Sequence, residues 1–193
     1  MVAAGGGTPA GAAVAAERLV AAGATALLSF GLCGGLDPAL RAGAIVVPAG
    51  VTTTLGRFFS ADVDLLALLG GATHETLYAG RVIAATVAEK SALAGAAAID
   101  LESGAVAEIA ARHRLPFAVL RAVCDPAGFS LPPAALIALD PAGGIVKLRI
   151  VGSILRHPAQ LPALIELACA AATARAALVR HVAEIVHRNR GVL

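Results

Sequence analysis

One stretch, residues 98–127 (AIDLESGAVAEIAARHRLPFAVLRAVCDPA), constrains what this chain can fold into more than any other. It reads as a strand end, a sharp turn into a helix, a short loop and a second, buried strand. Asp100 precedes a run of good helix formers and can cap the first free N–H groups of that helix. Glu102 falls in the first turn, where the helix dipole favours an anion. Val106, Ile109 and Ala110 recur at i, i+3, i+4 spacing and form an apolar face opposite Glu108 and Arg112. Leu115-Pro116 ends the helix. Residues 116–123 are apolar and rich in Val, Leu and Phe, the pattern of a strand covered on both faces. Strands joined by a helix in this way imply an α/β sheet, whose ligands bind where the strands end.

Acids stand at those strand ends: Asp100 and Glu102 after the first, Asp125 after the second. A plain helix start accounts for the first two, and an Asp-Pro turn accounts for the third. Together they also read as a site. An aspartate at the mouth of an apolar strand is desolvated, which favours its protonated form and suits it to general-acid work. A nearby ionised glutamate can grip sugar hydroxyls through charge-assisted hydrogen bonds. On local grounds both readings stand.

Elsewhere the pattern is of short elements in alternation. Residues 1–4 resemble the tail of a strand, and Gly5-Gly6-Gly7-Thr8-Pro9 leads into an Ala-rich helix over 10–22. A glycine loop before a helix can cradle an anion, so Gly6, Gly7 and Thr8 are candidates for a phosphate; a tight turn explains them equally. Residues 25–30 read as a strand, 31–35 as the glycine loop behind it, and 44–51 as the next strand. A helix over 62–69, a strand over 77–86 and a helix over 88–97 follow, the last with Glu89 and Lys90 on its solvent face. Residues 131–144 read as a loop with a short helix. From Pro162 to about Arg188, Leu164, Leu167, Ala171, Leu178, Val182 and Ile185 mark a long amphipathic helix packed across the sheet.

The 193 residues suit a single domain, 1–193, with a large core. Because 58% of residues are apolar but only 3% aromatic, that core must be built from small, closely packed side chains. A net charge of +2 without a dense basic cluster argues against nucleic acid as a partner. Cys33, Cys124 and Cys169 are widely spaced and form no C-x-x-C pair, which fits a reducing cytoplasm better than a disulfide framework or a zinc site. The histidines show no metal-ligand grouping. The uncharged run 19–36 reaches the length of a membrane span, but its glycines and Ser29 read better as helix end, strand and loop.

"DLES" followed by "LPFAVLRAVCDPA" resembles the signature of the purine nucleoside phosphorylase and methylthioadenosine/adenosylhomocysteine nucleosidase superfamily. There it appears as an acid–Met–Glu segment and then a strand ending in Ser-Asp. "SFGLCGGLDPALRAGAIVVP" (29–48) resembles that superfamily's glycine-rich segment and following strand, and "LPPAALIALDP" and "LRHPAQLPAL" are similar to its hopanoid-associated branch. The resemblance implies a three-layer α/β fold, a central mixed β-sheet flanked by helices, lacking the usual first strand and its acid.

For function, the resemblance implies cleavage of a purine N-glycosidic bond, by water or by phosphate as co-substrate and without a cofactor. Adenine release from adenosylhopane is the branch's reaction. Asp125 is the implied acid toward N7 of the base, and Glu102 the residue that holds the ribose. Leu101, Cys33, Gly34 and Cys124 would line sugar and base. Val82 and Ile83 match the base-stacking region, where the family offers an aromatic ring; Phe30, Phe58 or Phe59 could substitute. The glycine loop at 5–8 would border the 5′ side of the sugar. A homo-oligomer acting on a soluble or lipid-linked nucleoside in the cytoplasm is the implied setting. The alternatives are a nucleoside-binding relative without catalysis, an ordinary doubly wound nucleotide-binding enzyme and a membrane-surface protein.

Overall fold

The computed structural model describes residues 1–136, 153 and 156–189. Helix α1 (Pro9–Ala21) is followed by β1 (Leu27–Gly35), β2 (Ile45–Val46), β3 (Pro48–Thr53), β4 (Phe58–Ser60), α2 (Val63–Leu69) and β5 (His74–Ala79). Next come α3 (Val87–Ser91), β6 (Ala98–Asp100), α4 (Ser103–His113), β7 (Phe117–Asp125) and α5 (Pro133–Leu136), and finally α6 (Leu161–Asn189). The strands form one seven-stranded mixed sheet in the order β2-β7-β1-β6-β5-β3-β4. β1 runs parallel to β7 and antiparallel to β6, while β6, β5 and β3 are mutually parallel neighbours.

β7 explains the layering. All but one of its nine residues are buried, as the apolar run requires of a strand covered on both faces. Phe117, Val119 and Val123 join Leu27, Val51 and Leu77 in a core that includes Ala107, Ile109 and Ala110 of α4 and Ala16 of α1. The alternate residues Ala118, Leu120 and Ala122 join Val47, Leu69 of α2, and Ala174 and Leu178 of α6 on the other face. The result is three layers, as expected. With so few aromatic side chains, close approach replaces bulk: a Cβ on Gly104 of α4 would lie 2.7 Å from Ala79 Cβ of β5.

Several boundaries differ from the sequence pattern for identifiable reasons. Residues 1–4 form no strand. The glycine run 31–35 is not a loop but the second half of β1, with a register shift between Cys33 and Gly34. The apolar run 44–51 is two strands. β2 pairs with β7, and β3 pairs with β5 and β4. The chain changes partners at Val47-Pro48, where proline has no N–H to donate and Val47 bonds instead to Thr73. β5 starts at His74 and ends at Ala79, earlier than the pattern suggests at both ends. The helix before β6 is only five residues long. α4 ends not at the proline but at Arg114, held in a left-handed conformation (φ 55°).

Side-chain caps begin two other helices. Thr8 caps α1, accepting from Gly11 N, and Asp62 caps α2, accepting from Asp64 and Leu65 N–H groups. The expected loop over 131–144 contains α5, and residues 137–144 lie outside the described residues. α6 spans 29 residues and packs on the sheet through Ala174, Ala177 and Leu178, whereas Val182, expected inward, is 36% exposed. With the turn before it, this helix is long and apolar enough by composition to cross a membrane (Pro158–Arg188, mean hydropathy 1.5). The uncharged run at 19–36 is the end of α1, a turn and β1.

Candidate active site

The ends of β1, β6 and β7 border one cavity of about 240 Å³. Glu102 and Asp125 both line it, with Leu101, Cys33, Gly34, Cys124, Ile83 and Gly7. Of the residues singled out in the sequence, the structure therefore brings eight to one hollow. Asp100 lines it as well, and Leu32, Ala84, Ile99 and Leu131 supply apolar wall. Val82 does not belong: it is 77% exposed and does not line the cavity. None of Phe30, Phe58 and Phe59 reaches it either; they border separate hollows. The described apolar side chains that line the cavity are aliphatic or thiol, with no aromatic ring among them.

Topology accounts for the convergence. β1 and β7 run parallel side by side, with Gly34 opposite Asp125. Gly34 has a role here that a loop reading misses: a Cβ at this position would lie 3.0 Å from Asp125 Oδ2. Glu102 arrives on the other flank. β6 ends at Asp100, which accepts the N–H of Ser103 through Oδ1 and so performs the capping that its position promised. Glu102 occupies the N-cap position of α4 rather than its first turn, makes no capping bond there, and is free to face the cavity.

Neither carboxylate stands alone. Glu102 Oε1 accepts the Gly7 N–H at 3.0 Å, and Arg121 Nη1 lies 3.5 Å from Oε2. The glycine loop thus presents its Gly7 N–H to a side chain of the chain itself, and the Thr8 hydroxyl is used as the α1 cap. Gly6, beside them, has a positive φ of 71°, a tight-turn conformation. Asp125 is 6% exposed and pairs with Lys90 Nζ at 2.8 Å through Oδ2, while the Cys124 thiol donates to Oδ1 at 3.1 Å. The isolated carboxyl at an apolar strand mouth is therefore corrected to a carboxyl facing a buried ammonium.

Lys90 was expected on a solvent face and is instead 1% exposed. Helical periodicity describes only the helix; α3 is a short segment laid against the loop after β7, and that contact is tertiary. Lys90 carries no sequence signal that would have found it. Arg121 does. A lone arginine inside an otherwise apolar strand must be paired if the strand is buried. Its guanidinium meets Asp100 Oδ2, Ser29 Oγ at 2.7 Å, Ser103 Oγ at 3.2 Å and the Leu32 carbonyl at 3.4 Å. The Ser103 hydroxyl also donates to Asp100 Oδ2 and lies 2.9 Å from Ser29 Oγ, closing the network. Gly31 makes room for it, since a Cβ there would fall 2.6 Å from Arg121 Nη1.

Burial pushes the Cys33 thiol well above its ordinary value. Burial and then the Asp125 carboxylate do the same to Cys124. Both line the cavity as thiols, which suits wall residues and not nucleophiles. Among the described residues, no grouping of His, Cys, Asp and Glu side chains suits a metal ion.

Residues 1–140 match the model of the phosphorylase superfamily. The chain belongs to that superfamily. No curated protein matches the chain. Among solved structures, a 5′-methylthioadenosine/S-adenosylhomocysteine nucleosidase from Neisseria meningitidis, in complex with methylthio-immucillin-A, superposes with a TM-score of 0.65. It is 20% identical over 93% of this chain and 77% of that one. The corresponding nucleosidase from Colwellia psychrerythraea, in complex with adenine, gives 0.58 at 24% identity over 63% of each chain. Futalosine hydrolase of Helicobacter pylori gives 0.55 at 19% identity over 62% of this chain and 65% of that one. This superfamily member spans under two thirds of the length of the latter two. At these identities the likeness is one of fold, and the fold is the α/β nucleosidase fold.

Proposed function

We propose that the protein cleaves the N-glycosidic bond of a purine nucleoside, releasing adenine. The observation that carries this reading is the convergence of Glu102 and Asp125 on one cavity with an otherwise largely apolar lining. A proton on Asp125 passes to N7 of the base as the C1′–N9 bond breaks, and the bonding pair leaves with the base as neutral adenine. The ribosyl group becomes oxocarbenium-like. Glu102 holds the ribose hydroxyls, and its negative charge stabilises the positive charge that develops. Leu101 flanks the sugar, and Ile83, Ile99 and Cys124 enclose the base. Water or phosphate then attacks C1′, with no cofactor taking part.

The finer reading is that the nucleoside is lipid-linked and that the reaction is adenine release from adenosylhopane, catalysed by a cytoplasmic homo-oligomer. The similarity to the hopanoid-associated branch supports it, as does the aliphatic lining of the cavity. Incubation with adenosine, with and without phosphate, tests the coarser reading by chromatographic detection of adenine. Release that depends on phosphate makes the protein a phosphorylase, and release without it a nucleosidase. A chain that binds adenine yet releases none from any adenine nucleoside is a binding relative, and the proposal fails. Faster turnover of a 5′-alkyl adenosine than of adenosine supports the lipid-linked substrate.

A further inference from the structure

A lysine is almost never wholly buried without a partner, and Lys90 has more partners than it needs. Its ammonium reaches Asp125 Oδ2 at 2.8 Å and the carbonyls of Asp125, Pro126 and Phe129 at 3.1, 2.9 and 3.0 Å. Three N–H donors face four acceptors, so none is left for a ligand. Every one of these contacts falls within residues 125–129, the segment that leaves the cavity at the end of β7. The short helix that carries Lys90 is itself anchored. Thr86 and Glu89 form a reciprocal capping box, and Val87 N–H is held by Ser130 Oγ.

We propose that Lys90 is a positioning residue for the glycosidic cleavage, acting through Asp125 rather than on the substrate; this rests on the function proposed above. The ammonium occupies Oδ2 and fixes the carboxyl plane, so Oδ1, which takes only a weak thiol hydrogen bond from Cys124, is the oxygen that gives its proton to the base. When that proton leaves, negative charge appears on Asp125 next to a cation already in place. Preorganised charge beside a group that becomes ionic during the reaction lowers the barrier without any reorganisation at that moment. The three carbonyl contacts tie Lys90 to the loop, and the contact to the carboxylate ties it to the reacting group.

The test uses two substrates, adenosine and 4-nitrophenyl riboside, whose phenolate leaves without a proton. It compares the wild-type chain, Lys90→Met, Asp125→Asn and the double variant. Lys90→Met is expected to lower kcat on adenosine by about 100-fold with KM changed only a few-fold, and to leave the nitrophenyl substrate within a few-fold of wild type. In the Asp125→Asn background the same change is expected to cost little more, because the two groups act as a unit. Lys90→Gln, which keeps an N–H for the carbonyls and removes the charge, is expected to behave like Lys90→Met and guards against a folding artefact. Equal losses on both substrates, or losses that multiply in the double variant, overturn the inference while the proposed function stands. Absence of adenine release by the wild-type chain overturns that function, and the inference with it.

Discussion

Lys90 and Arg121 are both buried cations paired with an aspartate near the same end of the sheet, yet their surroundings differ. Lys90 is a local clamp whose contacts all lie in the segment after β7. Arg121 is a hub: it ties β1 through Ser29 and Leu32, β6 through Asp100, and the start of α4 through Ser103 and Glu102. Its Nε is buried with no hydrogen-bond partner among the described residues. The carboxylate on Lys90 lines the cavity; of the partners of Arg121, Asp100, Glu102 and Leu32 line it and the serines do not. On the function proposed above, the Asp125 end exchanges a proton with a ligand. The other holds Glu102 in place and keeps three strands and a helix in register.

The largest expected effect falls on the open end. Asp125→Asn should reduce adenine release by about 10²–10⁴-fold, measured by steady-state kinetics, and Glu102→Gln by about 10²-fold. Loss from Glu102→Gln alone would invert the comparison and leave Asp125 as a structural partner of Lys90. The next effect is on stability at the closed end. Arg121→Met leaves Asp100 as a buried unpaired charge and should cost about 3–5 kcal/mol in urea unfolding. Lys90→Met should cost less, about 1–3 kcal/mol, because its contacts all lie in one segment after β7 whereas Arg121 joins β1, β6 and α4. Equal costs would mean that the local clamp matters to the fold as much as the hub.

Thiol reactivity sharpens the same contrast. At neutral pH the exposed Cys169 should alkylate fast, whereas Cys33 and Cys124 should react slowly, their thiols held protonated by burial. Adenine present during labelling should slow Cys124 further, which mass spectrometry of the labelled peptides reads. The smallest effect concerns the support of Lys90. Glu89 is held below the ordinary glutamate range by its bonds to Thr86 and Ala85. Its folded value lies below its unfolded one, so the stability it contributes is present at neutral pH and disappears as pH falls through the folded value. A Glu89→Gln variant should therefore melt lower than wild type at pH 7 and match it in strong acid.

Much of the fold was legible because it depends on local rules. The α4 face of Val106, Ile109 and Ala110, the Asp100 cap, the buried β7 run and the long last helix all follow from period and capping chemistry. The pairing of Glu102 with Asp125 could be anticipated from acids at two strand ends, but not their neighbours. Val82 was misplaced because β5 stops at Ala79, and the glycine run is strand because it pairs with β7 and β6, whose side chains fill the space a Cβ would take at Gly31 and Gly34.

The sequence by itself determined the first, fourth and last helices and the buried β7 strand, that the sheet is covered on both faces, and that acids stand where its strands end. Apolar period and cap residues decide these within a few turns of chain. Only the tertiary structure decided that an expected surface lysine lies buried against Asp125, and that the glycine loop gives an N–H to Glu102. Those contacts join residues 35 and 95 positions apart, and no local pattern encodes a partner at that distance.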